Sequence, residues 1–128
     1  MKRRSLLAAG LGALSVSLFL VALPASPQEE LDPLKVAPDT HKLLFENKFL
    51  RVIEAKVPVG NLEPKHKHPK GVTVYLANYT VEQRSFPDHK ISRGDRKFGT
   101  VTWADDVVHE VKNVGKTPSH AIRIELKY

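Results

Sequence analysis

His120-Ala121-Ile122-Arg123-Ile124-Glu125-Leu126-Lys127 alternates with period two: His120, Ile122, Ile124 and Leu126 share one face, Ala121, Arg123, Glu125 and Lys127 the other. Alternation of this kind marks a half-buried β-strand, with the apolar set as the predicted core face. The same pattern recurs upstream. Phe49, Arg51, Ile53, Ala55 and Val57 alternate with Leu50, Val52, Glu54 and Lys56, and the run stops at Pro58 and Gly60. Val72 to Val81 is rich in β-branched and aromatic residues, and Gly99 to Trp103 and Val107 to Val111 form strands around Asp105-Asp106. Phe86-Pro87-Asp88-His89 and Ser92-Arg93-Gly94-Asp95 are predicted turns. No window after residue 30 predicts a helix. About seven short strands that each hide one face close into a sandwich or a barrel. The expected class is therefore all-β, and its edge strands call for closure or pairing with a second copy.

The 128 residues allow one such domain. Residues 1–25 read as a secretory signal peptide: a basic start at Lys2, Arg3 and Arg4, an uncharged run from Leu6 to Leu23, then Pro24, Ala25, Ser26 and Pro27. Ala25 is the best candidate for the residue before cleavage. The alternative is an uncleaved anchor, since the uncharged run approaches the ~20 residues needed to span a bilayer; Gly10, Gly12, Ser15 and Ser17 weaken that alternative. Either way the domain lies outside the cytoplasm, periplasmic or secreted. Arg3-Arg4-Ser5-Leu6-Leu7 also looks like a twin-arginine signal, or is simply the positive start that any signal carries. Residues 26–41, with Pro27, Pro33 and Pro38, read as a tether or extended edge segment, leaving 42–128 as the β domain.

Charge and cysteine count then narrow the chemistry. The chain carries a formal +6, but three of those charges sit in the export segment, which removes most of the support for a nucleic-acid partner. No stable membrane association is expected after signal cleavage. The absence of cysteine excludes disulfides, thiolate metal sites and a cysteine nucleophile. No glycine-rich phosphate loop and no Ser-His-Asp order is present.

Six histidines remain: His41, His66, His68, His89, His109 and His120. His66 and His68 are two apart, so in an extended segment both imidazoles leave one face while Lys65 and Lys67 leave the other. Such a pair can share a divalent ion with nitrogen affinity, or sit in a solvated loop. His120 reads as a core histidine on the apolar face of the last strand. His89, in a turn, and His41, beside the proline-rich segment, read as solvated.

Gly60, five residues, His66-x-His68, then Gly99, His109 and Asn113 in an all-β chain resemble the two motifs of the cupin family, over residues 42–127. Phe45-Glu46-Asn47 before Arg51-Val52, the Phe86-Pro87-Asp88 turn, Trp103 before His109, and Asn113-Val114-Gly115 agree with small single-domain cupins. The resemblance implies a jelly-roll β-barrel (a double-stranded β-helix), a divalent transition metal (Fe, Mn, Ni, Zn or Cu) on His66, His68 and His109, and a homodimer as the default assembly. The chain departs from the pattern where the family's glutamate ligand falls, at Val72 or Thr73. A three-histidine site leaves a 2+ ion uncompensated and more attractive to an anion; a metal-free pocket is the alternative.

Arg51 and Tyr75 are the candidate ligand-binding residues. Arg51 shares a face with Ile53 and Val57; if that face is inward its guanidinium needs an anion, from protein or ligand, whereas inward Leu50 and Val52 would leave it in solvent. Tyr75 offers a phenol to a ligand or packs. Asn113 is expected to fix the loop after the His109 strand, and Trp103 to be a core residue. No catalytic acid or base is assigned. The expected function is a metal-dependent, oxygenase-type enzyme on a small molecule. A non-enzymatic periplasmic binder, with or without metal, is the alternative.

Overall fold

The computed structural model describes residues 30–128; the signal peptide, the Arg3-Arg4 pair and the cleavage after Ala25 lie outside the described residues. Nine strands form: β1 (His41–Glu46), β2 (Leu50–Ala55), β3 (Leu62–His68), β4 (Gly71–Tyr75), β5 (Tyr79–Ser85), β6 (Ile91–Arg96), β7 (Val101–Ala104), β8 (Val107–Asn113) and β9 (Ala121–Leu126). They pair antiparallel in two sheets, a five-stranded one in the order β1-β2-β9-β4-β7 and a four-stranded one in the order β3-β8-β5-β6. The strands β4 and β9 lie side by side although far apart in sequence, the crossover expected of a jelly roll. Backbones meet closely there: a Cβ at Gly71 would stand 1.9 Å from the Ile124 carbonyl oxygen, so only glycine fits.

Three expectations need correction. The run Val72 to Val81 is two strands in different sheets, because the chain leaves β4 after Tyr75 and starts β5 at Tyr79. Ser92-Arg93-Gly94-Asp95 is not a turn but the middle of β6, paired with Val81 to Gln83 and Thr80; the real turn follows it at Phe98-Gly99, where Gly99 takes φ +77°. The proline-rich segment contains a helical turn, α1 (Pro33–Val36), capped by Asp32, whose carboxylate accepts from the Leu34 N–H. Pro33 is fully buried and Ala37 nearly so, and the Leu31 carbonyl accepts from the Lys67 N–H. From residue 31 onward this segment is docked on β3 rather than held as a tether.

The last strand is oriented opposite to its apolar pattern. Ala121, Arg123 and Glu125 are buried and face the space between the sheets, while Ile122, Ile124 and Leu126 are half-buried on the outer surface. Register carries this across the five-stranded sheet: Phe45, Val52, Ile124, Val72 and Trp103 form one outward row. Trp103 is thus not a core residue; it is exposed, with its indole N–H donating to Asp105. Inside, Ile53 and Val57 are buried, and Tyr79, Val81 and Val111 form a small apolar cluster. Among the described residues nine polar or charged ones are buried as well, His41, Glu63, His66, His68, His109, Asn113, Ser119, Arg123 and Glu125. Buried polar groups cost free energy unless partnered, so an interior this polar marks a site and not merely a core.

Asn113 acts as expected. Its side-chain amide donates to the Val57 and Thr117 carbonyls, and its oxygen accepts from the Gly115 N–H. This pins the loop between β8 and β9.

Candidate metal centre

A β-bulge in β3 decides which side chains enter the barrel. Strand β3 pairs with β8 as Glu63 to Val111, then slips, and resumes as His66 to His109. Without that slip Glu63 would lie on the opposite face from His66 and His68. With it, all three point inward. The bulge holds Pro64, which has no N–H to offer a ladder, and its carbonyl oxygen lies 2.7 Å from His66 Nδ1.

Four imidazoles converge. Ring centroids of His66 lie 5.0 Å from His41, 4.8 Å from His68 and 4.6 Å from His109. His41, His66 and His68 each offer a ligand atom within 4.8 Å of the other two, and His109 Nε2 stands 3.1 Å from His66 Nε2. Of the expected set His66, His68 and His109, the first two lie in that group and His109 adjoins them through His66. His41 joins it, contrary to the solvated role read from sequence: it is 5% exposed because its partner in register is Ala55 on the inward face of β2. His89 is exposed, in the turn. His120 is half-buried outside the pocket, with its Nε2 2.8 Å from Glu54, so it is not a core histidine.

The outer nitrogens are engaged by the protein. His66 Nδ1–H donates to the Pro64 carbonyl and His68 Nδ1–H to Glu125 (2.5 Å). His109 Nδ1 faces the Gln83 amide at 3.4 Å, and His41 Nδ1 lies 3.2 Å from the Thr40 hydroxyl. Tying Nδ1 down leaves Nε2 of His66 and His68 as inward lone pairs, the orientation that metal-ligating histidines take from their outer partners. Burial holds all four rings neutral: it lowers His41 to about 3 and His109 to about 2, and it lowers His66 and pushes His68 well below the usual imidazole range. Neutral, buried, converging nitrogen donors fit a divalent transition ion.

Two buried carboxylates stand behind the rings. Glu125 accepts from His68 and from the Arg51 Nε–H; burial raises its pKa and Arg51 opposes the rise. Arg51 in turn donates to Asp32 at 3.0 Å. Arg51 thus faces inward, but its anions are protein carboxylates and it does not line the large cavity. It positions Glu125, and through Glu125 the His68 ring. Arg51→Met should lower divalent-metal affinity about 10- to 100-fold, the usual cost of a lost outer partner, as read by competition with a chromophoric chelator; an unchanged affinity would contradict this role. Glu63 was not anticipated at all. Burial raises it to about 7, and it lies 3.5 Å from His41 Nδ1. Burial disfavours the charge on both groups, so this contact is not a fixed salt bridge.

In front of the rings a cavity of about 790 Å³ opens between the sheets. Tyr75 lines it; the phenol oxygen accepts from Thr102 and the ring lies 5.6 Å beneath the Arg96 guanidinium. Asp105 and Asp106 sit at its exposed rim. At the position of the family's missing glutamate, Val72 faces outward. Thr73 faces inward, accepting from Arg123 at 3.0 Å.

No family model and no curated protein matches this sequence. Solved structures do. A cupin domain from Bordetella pertussis Tohama I superposes with a TM-score of 0.62 at 21% identity, covering 69% of this chain and 92% of that one. A conserved protein with a double-stranded β-helix domain from Klebsiella pneumoniae subsp. pneumoniae gives 0.54 at 17%, covering 67% and 74%. A structure of oxalate decarboxylase gives 0.51 at 18%, covering 67% of this chain and 26% of that one. Two antiparallel sheets in jelly-roll order around an inward histidine cluster, together with these neighbours, define the class: this chain has the cupin fold.

Proposed function

We propose that the protein binds one divalent transition metal (Fe, Mn, Ni, Zn or Cu) through His66, His68 and His109, with His41 as a fourth donor, and acts on a small molecule held in the cavity. The observation that carries this is the convergence of four buried, neutral imidazoles whose outer nitrogens are already bonded. With Nδ1 of His66 and His68 held by the protein, the inward Nε2 atoms, those of His66 and His109 3.1 Å apart, are nitrogen donors that one shared cation would hold.

An Fe(II) or similar redox ion held by these histidines would supply oxygenase-type chemistry. The chain's own residues orient the ligand nitrogens, exclude bulk water with Ile53, Val57 and Val111, and present Tyr75 and Gln83 to the cavity. The fold hosts enzymes, as oxalate decarboxylase illustrates, but does not choose a reaction. The export reading rests on the sequence of residues 1–25 alone.

Oxygen uptake tests the enzymatic part. Fe(II)-loaded protein given candidate thiols, phenols and small carboxylates should consume oxygen above a protein-free iron control, and His66→Ala with His68→Ala should abolish the excess. Turnover of nothing in a broad panel, in protein shown to hold metal, would overturn the enzyme and leave a metal-containing binder.

A further inference from the structure

We infer that the cavity is built for a small carboxylate, seated between Arg123 and the histidine cluster. The inference deepens the metal-site reading and rests on it for the second half of the seat. Arg123 projects inward from β9 into the cavity and is 6% exposed. Its two terminal nitrogens donate to neutral oxygens, one to the Thr73 hydroxyl at 3.0 Å and one to the Pro69 carbonyl at 2.5 Å. Its Nε–H is buried and has no hydrogen-bond partner. Among the described residues no carboxylate forms an ion pair with it. The acid two residues along, Glu125, is occupied by Arg51 and His68. Glu125 and Asp106 favour its charge only from a distance; a buried guanidinium with no contacting anion is unfavourable, and an orphaned donor adds to that cost. An anionic ligand relieves both.

The placement makes this specific. Thr73, one of the two positions where the resemblance places an acidic metal ligand, here accepts from Arg123 instead. Arg123 lines the same cavity as His68 and His109. A planar guanidinium with a free Nε–H on one edge matches the planar oxygen pair of a carboxylate. The remaining cationic side chain of interest, Arg96, is half-buried and turned over Tyr75 and toward Gln83. With Arg123 as the one deeply buried cation on the cavity wall among the described residues, a singly charged carboxylate group fits better than a phosphate.

The test uses malonate and its uncharged isostere malonamide, titrated calorimetrically into metal-free and Zn(II)-loaded protein, with arginine Nε–Hε signals followed by ¹⁵N NMR. Malonate should saturate one site and shift the Arg123 signal, and malonamide should bind at least about tenfold more weakly, as expected for loss of charge-assisted bonds. Arg123→Gln should lower malonate affinity about tenfold or more while Zn(II) affinity stays within about threefold. Equal binding of malonate and malonamide, saturation that leaves the Arg123 signal unmoved, or no saturable binding to either form would overturn the inference. If Arg123→Gln fails to fold, the isostere comparison and the wild-type NMR decide. The Zn(II) titration is read separately: protein that takes up Zn(II) but treats malonate and malonamide alike overturns the carboxylate seat and leaves the metal site standing.

Discussion

The double variant His66→Ala/His68→Ala should lose divalent-metal binding by about four orders of magnitude while remaining folded. Structural zinc sites bind with about 10–16 kcal/mol over four ligands, or roughly 3 kcal/mol each, so removing two costs about 6 kcal/mol, and each 1.4 kcal/mol is tenfold. His66 and His68 are the donors common to the clustered group His41, His66 and His68 and to the motif-derived triad. The fold should tolerate their loss, because the substitutions remove buried polar groups instead of the apolar contacts of Ile53, Val57, Val81 and Val111. The clearest readout is thermal. Metal at 100 times its dissociation constant stabilises the folded state by about 2.7 kcal/mol, which for a domain of this size raises Tm by roughly 10–20 °C. Wild-type protein should show that rise with Zn(II), and the double variant should show none. An equal rise in both would mean that the metal binds elsewhere.

The second large effect is acid sensitivity of the metal-free protein. His41, His66, His68 and His109 all have folded-state pKa values below the ordinary 6.5. As pH falls through 6.5 the unfolded chain takes up protons that the folded chain refuses, so each group removes about 1.4 kcal/mol of stability per pH unit. Glu63, raised to about 7, and Glu125, also raised, act in the opposite sense, because the folded state takes their protons first. His41, His68 and His109 against Glu63 leave a net of two, or about 3 kcal/mol per pH unit below 6.5, with His66 and Glu125 adding in opposite senses. Between pH 6.5 and 5 that removes a large part of the 5–15 kcal/mol typical of a domain. Urea unfolding of chelator-treated protein across this range should show the fall, and a stability that is flat or rises on acidification would contradict the neutral cluster. Neutral imidazoles also need no deprotonation to bind metal, so affinity should change little between pH 7.5 and 6, unlike that of an exposed His-x-His pair.

How far the sequence carried depended on where the strands stay regular. The all-β class and the His66-x-His68 pair follow from period-two alternation, and His109 and Asn113 follow from the motif resemblance. Glu63 was invisible because alternation places it opposite His66, and only the bulge at Pro64 turns both inward. His41 was missed for a related reason: its face is set by pairing with Ala55 across the β1–β2 hairpin, while a second bulge between Leu43 and Phe45 breaks the pattern of its own strand. The last strand misled most. Its alternation marks the apolar face as the core face, yet the barrel reserves its interior for Arg123 and Glu125 and puts Ile122 and Ile124 outside. Hydrophobic patterning finds the buried face of a stabilising sheet, and this sheet buries a site. Arg51 illustrates the middle case, where the need for an anion was legible and its identity, Asp32 and Glu125, was not.

The central claim is a stoichiometric metal centre in the barrel. Elemental analysis of protein carrying no histidine tag, both as purified and after anaerobic loading with Fe(II), Mn(II), Ni(II), Zn(II) or Cu(II) and removal of free ion, tests it most directly. One ion per chain under at least one condition, absent from His66→Ala/His68→Ala, is the predicted result. Sub-stoichiometric metal under every condition would contradict it.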